Sequence, residues 1–250
     1  MTKNIVTIVI PARNEEEVIV KTLDRIRRIV YIPYELIIVD DMSTDATGDV
    51  IVAYKKNKPE ITLTSTTSRK HGFSSAIEKG VRSAKTEFVV IVMADLCDDP
   101  KTINKMYKKM HEGWDIVCGS RYVRGGKKTG GPAIQGFLSK FVCRSLNFFG
   151  VPTKDVSNAF KMYRRKVFRN VSFNSKSGVE ASMELTLQAY FNGARITDLP
   201  TVWQGRTIGK SKFKIFQRAP KYMRIYLWVF NNLIRQKIGL KYKKYQFNAN

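Results

Sequence analysis

The sequence predicts an α/β fold, a mostly parallel central sheet flanked by helices, and three observations predict it. Runs such as Leu36-Ile37-Ile38-Val39 and Val89-Val90-Ile91-Val92-Met93 are short, apolar throughout and rich in β-branching, as strands buried on both faces are. They alternate along the chain with segments of helical period, the pattern of parallel strands joined by right-handed crossovers. Both runs stop at carboxylates, Asp40-Asp41 in one case and Ala94-Asp95 in the other. Acids there sit at the carboxyl ends of strands, where such sheets bind ligands; they attract cations, which in turn attract phosphates.

The elements follow in order. Residues 5–10 read as a strand, and 15–30 as a helix carrying Val18, Ile19, Leu23 and Ile26 at helical spacing. A strand at 35–39 precedes a helix at 44–54 with Ser43 as its cap, then a strand at 61–65, a helix at 74–84 and a strand at 88–93. Pro100 opens a helix over 101–112, followed by a strand at 115–119. The glycine-rich, basic stretch 125–132 reads as a mobile loop over the crevice. A helix at 137–149, a strand at 158–163, a helix at 180–191 and a strand at 195–199 complete the pattern.

With 250 residues, 43% of them hydrophobic, the chain can bury a full core and is no disordered tail. Its 44 basic and 21 acidic residues leave a formal charge of +23, and no acid follows Asp198. The basic segment 206–244 therefore suits a polyanionic partner: an anionic membrane surface, a nucleic acid or a phosphorylated substrate. The run before Pro11 is too short for a signal-peptide core, and the run at 225–230 falls far below the ~20 residues that span a bilayer. Cys97, Cys118 and Cys143 lack paired metal-ligand spacing and read as reduced thiols of a cytosolic chain.

The first strand is followed by Pro11-Ala12-Arg13-Asn14-Glu15, not by a glycine fingerprint for a dinucleotide, and no P-loop run exists. Ile8-Val9-Ile10-Pro11-Ala12-Arg13-Asn14-Glu15, Ile38-Val39-Asp40-Asp41-Met42-Ser43-Thr44-Asp45-Ala46-Thr47 and Met93-Ala94-Asp95-Leu96 together resemble the family 2 glycosyltransferases of the GT-A fold. Gly119-Ser120-Arg121-Tyr122, Asp155-Val156-Ser157-Asn158-Ala159-Phe160-Lys161 and Arg206-Thr207-Ile208-Gly209-Lys210-Ser211-Lys212 look like the dolichyl-phosphate mannosyltransferase branch. The resemblance spans roughly residues 5 to 215.

It implies a GT-A domain over residues 1–212 and a donor pocket lined by Pro11, Ala12, Asn14, Glu15 and Ala94, with Asp40 and Asp41 reading base and ribose and Arg69 beside the donor. Ala94-Asp95 occupies the place of the Asp-X-Asp motif, making Asp95 the ligand of Mg²⁺ or Mn²⁺ on the donor diphosphate. The first acid of that motif is here Met93, and Cys97 stands where the mannosyltransferases often have Gln. Asp98 has two readings, a second carboxylate acting through water or helix-start chemistry with Asp99-Pro100.

Acceptor chemistry adds a second group of residues. A sugar hydroxyl needs a base to attack an anomeric carbon, whereas a phosphate monoester, with its second pKa near ~6, is already an anion and needs only orientation and charge screening. Arg121, Arg124, Lys140, Arg206, Lys210 and Lys212 supply cations, of which Arg121, Arg206 and Lys212 are expected to do this work. Ser139 aligns with a family serine near the acceptor phosphate, while Gln135 replaces an Arg. Glu180 and Glu184, one helical turn apart, are expected to be structural, His71 a surface residue and His111 solvated.

Residues 213–250 interleave aromatic and basic side chains at helical spacing, which suits a helix in the headgroup plane of a membrane. The expected protein is an inverting glycosyltransferase at the cytoplasmic face of a membrane, moving a sugar, mannose first, from a nucleotide diphosphate sugar such as GDP-mannose to a polyprenyl or dolichyl phosphate. The same fold acting on a glycan or protein hydroxyl is the rival enzyme reading. An inactive relative or a basic nucleic-acid module are the others, although no nucleic-acid motif appears and none is expected to bind.

Overall fold

The computed structural model describes residues 5–59, 62–67, 71–173, 178, 180–207 and 215–243. In chain order its elements are β1 (Val6–Ala12), α1 (Ile19–Ile29), β2 (Tyr34–Asp40), α2 (Thr47–Asn57), β3 (Leu63–Thr67), α3 (Phe73–Ser83), β4 (Phe88–Ile91), α4 (Lys101–Met110) and β5 (Ile116–Ser120). Then come β6 (Lys127–Thr129), α5 (Ala133–Phe148), β7 (Lys161–Arg164), a 3-10 turn at Arg165–Arg169, α6 (Ala181–Phe191), β8 (Ile196–Pro200), β9 (Val202–Gln204) and α7 (Ile215–Lys237).

Seven strands form the main sheet in the order β3-β2-β1-β4-β7-β5-β8. All its pairings are parallel except those of β7, which runs antiparallel between β4 and β5 with Val90 opposite Met162 and Val117 opposite Met162 on the other side. The period of two explains the unbroken apolar runs. Ile8, Ile10, Leu36, Ile38 and Val90 face α1, α2 and α4, whereas Val9, Ile37, Val39, Val89 and Ile91 face α3 and α6. A third apolar cluster joins Cys143 and Leu146 of α5, Met183 and Leu187 of α6, and Ile225, Val229 and Leu233 of α7.

Departures from the expected boundaries have local causes. The first helix begins at Ile19 and not at Glu15, because Glu15 and its neighbours turn into the crevice instead of continuing the helix. Ser43 does not cap α2; it bonds back to Asp40, and Asp45 accepts the Thr47 N–H at 3.0 Å. The stretch read as a mobile loop is paired: Lys127–Thr129 lies parallel to Val202–Gln204 in a second, two-stranded sheet. Gly126 permits this, since a Cβ there would stand 2.4 Å from the Ser120 carbonyl oxygen. Helix α5 starts at Ala133, four residues earlier than expected. Among the described residues no helix is long and apolar enough to cross a membrane.

Candidate active site

Three loops, after β1, β2 and β4, open side by side at the carboxyl edge of the parallel strands. Each contains one residue in the left-handed region: Asn14 (φ 49°), Met42 (φ 56°) and Leu96 (φ 63°), and among the described residues no other non-glycine has a positive φ. Asn tolerates this conformation; for Met and Leu it costs of order 1–3 kcal/mol each. Strain confined to three adjoining loops marks that edge as the functional one.

The loops are tied together by side chain to backbone bonds. The Asn14 N–H donates to Ser43 Oγ at 3.0 Å, Ser43 N–H and Oγ–H donate to Asp40 Oδ1 at 2.9 and 2.6 Å, and Thr44 N–H donates to Asn14 Oδ1 at 2.8 Å. Glu15 N–H donates to Thr47 Oγ1. Asp41 is buried, its backbone N–H on Ala12 O and its carboxylate accepting the Gly72 N–H at the start of α3 at 2.8 Å. His71, expected to be a plain surface residue, is exposed yet stands 3.1 Å from Asp41 Oδ2 and touches Arg13. A shallow cavity of about 170 Å³ beside Asp40 is lined by Gly48, Ile51 and Thr66. A second cavity, of about 420 Å³, lies at the other end of β5 around Asp115 and Asn192 and is lined by none of the candidate residues.

Arg206 crosses this edge. Its guanidinium donates to both oxygens of Glu15, at 2.9 and 2.7 Å, and lies 3.6 Å from Asp95 Oδ2. Although burial opposes its charge, Glu15 and then Asp95 raise its pKa above the ordinary value. The segment before it is pinned to the loop after β4, with Gln204 N–H on Cys97 O at 2.9 Å. Ala94 is buried, and its carbonyl accepts from Thr22 Oγ1. Cys97 is also buried; burial first, and the nearby Asp95 second, push its thiol up, so it remains neutral and faces the Asp95 carbonyl.

A divalent cation on the donor would have Asp95 as its carboxylate. The donor set fits such an ion in one further respect: Asp98, 4% exposed, has an oxygen, Oδ1, with no hydrogen-bond partner among the described residues. The helix-start reading belongs to Asp99, whose Oδ1 accepts the Lys101 N–H. Burial, then the charge of Asp95, raises the Asp98 carboxyl to about 7. Among the described residues no group of three or more His, Cys, Asp and Glu is arranged to hold a metal by itself.

The neighbouring strand ends carry the basic side. Arg121, at the end of β5, was expected as a rim cation; its side chain is instead buried against Asp155, with Nε and Nη2 on the two carboxylate oxygens at 2.7 and 2.8 Å. Burial would lower its pKa, and Asp155 more than reverses this. Nη2 also donates to Ser157 Oγ at 2.9 Å, and Ser139 Oγ lies 2.8 Å from Ser157 Oγ and 3.0 Å from the Tyr122 hydroxyl. The charge of Arg121 still reaches Asp98, so the acidic and basic groups share one side of the molecule. Arg124 and Lys140 are exposed. Arg69, Lys210 and Lys212 lie outside the described residues.

Sequence reasoning named Asp155 and Lys161 only within a motif and gave neither a role. Lys161 is fully buried and donates to Val156 O, Asn158 O and Ser182 Oγ at 2.8, 2.5 and 3.1 Å, fixing from below the loop whose Asp155 and Ser157 hold Arg121. A lysine interrupting the apolar run Ala159-Phe160-Lys161-Met162-Tyr163 was the available signal. Glu180 and Glu184 are buried, as a structural role requires, and Glu180 lies 3.4 Å from Lys221 of α7.

The model of the family described as glycosyl transferase family 2 matches residues 7–172. The chain therefore belongs to glycosyl transferase family 2, and its fold is that of the GT-A enzymes. A dolichol-phosphate mannosyltransferase of Pyrococcus furiosus is 29% identical over 231 residues, covering 89% of this chain and 64% of that protein. An undecaprenyl-phosphate 4-deoxy-4-formamido-L-arabinose transferase of Serratia proteamaculans is 26% identical over 218 residues, with 85% and 64% covered. The chain thus spans 64% of the length of both curated relatives. Among solved structures, the mannosyltransferase PcManGT of Pyrobaculum calidifontis with GDP-Man and Mn²⁺ superposes with a TM-score of 0.67 at 21% identity, over 94% of this chain and 65% of that one. TarS of S. aureus with UDP-GlcNAc gives 0.66 at 20% identity, over 91% and 66%.

Proposed function

We propose that the chain transfers a sugar, with inversion, from a nucleotide diphosphate sugar to a polyprenyl or dolichyl phosphate, GDP-mannose being the first donor to test. The observation that carries this is the position of Arg206, a cation bonded to Glu15 of the donor loop and beside Asp95 of the loop after β4. The transfer activities for which both curated relatives are named and the GDP-Man in the PcManGT complex support the same choice.

In this reading Pro11, Ala12, Asn14, Glu15, Asp40, Asp41, Arg69 and Ala94 receive the nucleotide. Asp40 and Asp41 suit ribose and base because carboxylates accept their O–H and N–H donors. Asp95 would hold Mg²⁺ or Mn²⁺, whose charge screens the leaving diphosphate. The lipid phosphate arrives ionised and needs no general base; Arg206 and Lys212 orient it, while Arg121, locked on Asp155, holds Ser139 and Ser157 at the acceptor side.

Residues 1–212 form the catalytic domain in this proposal, and 213–250 a segment that rests on an anionic membrane at its cytoplasmic face. On α7, Met223, Leu227 and Ile234 are exposed, as are Phe137 and Phe141 on α5 beside Lys140 and Arg144. Neither helix contains an acidic residue, which suits apolar insertion below anionic headgroups. Cys97, Cys118 and Cys143 are free and buried, in keeping with a reducing compartment.

The test is nucleotide release from GDP-mannose, UDP-glucose and UDP-N-acetylglucosamine with Mg²⁺ or Mn²⁺, with and without a short polyprenyl phosphate. Lipid-stimulated release is expected. Release stimulated only by sugar or peptide hydroxyls, or polynucleotide binding without release, would sink the proposal.

A further inference from the structure

We infer that Asp98 is the second carboxylate of the cation site, taking over from the acid that Met93 replaces. This rests on the donor reading above, in which a divalent ion bridges the protein and a diphosphate. Mg²⁺ and Mn²⁺ require oxygen ligands and are commonly held by one or two carboxylates plus substrate phosphates, so a thioether at position 93 removes a ligand that nothing else in the Met93-Ala94-Asp95-Leu96-Cys97 stretch restores. Cys97 offers a buried thiol turned toward the Asp95 carbonyl.

Asp98 has the required position and the required free atom. Its Oδ2 accepts the Met93 N–H at 3.4 Å, which brings the carboxylate against the backbone of the residue that replaces the lost acid. Its Oδ1 is buried and has no hydrogen-bond partner among the described residues. The other buried carboxylate oxygen without a hydrogen bond among the described residues, Asp115 Oδ1, faces Lys166 at 2.9 Å and is thereby accounted for. A buried carboxylate oxygen near Asp95 that makes no hydrogen bond among the described residues calls for a ligand, and a divalent cation suits it. The orientation is built in: Asp98 pairs with Trp203 in an antiparallel bridge, and Asp99, not Asp98, serves the start of α4.

Mn²⁺ titrations followed by electron paramagnetic resonance, with GDP and separately with UDP present and no acceptor, test this apart from turnover. Asp98→Asn is expected to weaken Mn²⁺ binding at least about 10-fold, with circular dichroism unchanged, and Met93→Asp in the same chain to restore it. Wild-type affinity in Asp98→Asn alongside loss in Asp95→Asn overturns the inference and leaves the transferase reading standing. Absence of Mn²⁺ binding in the wild-type chain overturns it as well. In case Asp98→Asn does not fold, aspartate-labelled wild-type protein with GDP gives the answer by NMR: two carboxyl resonances should move on adding Mg²⁺, and movement of one alone overturns the inference. Mn²⁺ binding through Asp98 without any lipid-stimulated release would instead retain the inference and discard the acceptor.

Discussion

The acidic and basic halves of the crevice are built on different principles. On the acidic side, after β1, β2 and β4, carboxylates accept mostly from neutral hydroxyl and backbone N–H donors, Asp40 from Ser43, Asp45 from Thr47 and Asp41 from Gly72, with Glu15 on Arg206 the exception. On the basic side, Arg121 depends on Asp155, 34 residues away, and Asp155 in turn sits on a loop braced by a buried lysine. The first half is a set of local turns brought together by parallel strand pairing. The second is one buried electrostatic chain, Lys161 to the 155–158 loop to Arg121. Motifs therefore describe the acidic side well, whereas on the basic side a cation visible in the sequence turns out to be engaged already.

That contrast can be broken or sharpened by experiment. The largest effect is expected for Asp95→Ala, which should lower turnover by roughly 100-fold or more while leaving the melting temperature nearly unchanged, because the acidic side contributes charge to the reaction more than to the fold. Near-normal turnover in that variant would remove Asp95 from the mechanism.

Arg121→Leu should do the reverse of this and show mainly in stability. It leaves the fully buried Asp155 without its partner, a loss of about 3–5 kcal/mol by denaturant unfolding. The double change Arg121→Leu with Asp155→Leu should recover a large part of it. If Arg121→Leu unfolds like the native protein but loses lipid-dependent turnover, Arg121 is a ligand to substrate and not the centre of a buried chain.

The smallest effect is a pH dependence. Burial holds the Lys161 ammonium below its ordinary value of 10.5. Between the folded and the unfolded pKa the unfolded chain binds the extra proton, so this group makes stability rise with pH across that window and contributes no slope below it. Thermal melts of the native chain minus those of Lys161→Met should show this slope at alkaline pH; parallel curves would mean that Lys161 titrates normally and braces nothing.

Much of this was legible from residue order. Strands buried on both faces leave an unmistakable signature, and each came within a few residues of its expected place, because the run of β-branched residues and the core-facing period of two are the same fact. The Pro11, Asp40 and Asp95 loops were legible because turns of this kind use particular residues at short spacing. The antiparallel entry of β7 was not legible, since its pairing with β4 and β5 involves partners more than 40 residues distant. The pairing of 127–129 with 202–204 was hidden too: Gly126 reads as a loop residue, although it and Gly205 let backbones approach closely. Three left-handed loop residues, two of them Met42 and Leu96, carry no signal in composition at all.

By itself the order of residues determined the layered α/β architecture and the edge at which the acids lie, because propensity, apolar period and turn chemistry are short-range, while its motifs carried the resemblance to the family. Only the tertiary structure decided which charges are free. Whether a guanidinium or a carboxylate keeps an open valence depends on what burial and long-range pairing set beside it. In this chain that placed Asp155 on Arg121 and Glu15 on Arg206, and left one oxygen of Asp98 without a hydrogen-bond partner among the described residues.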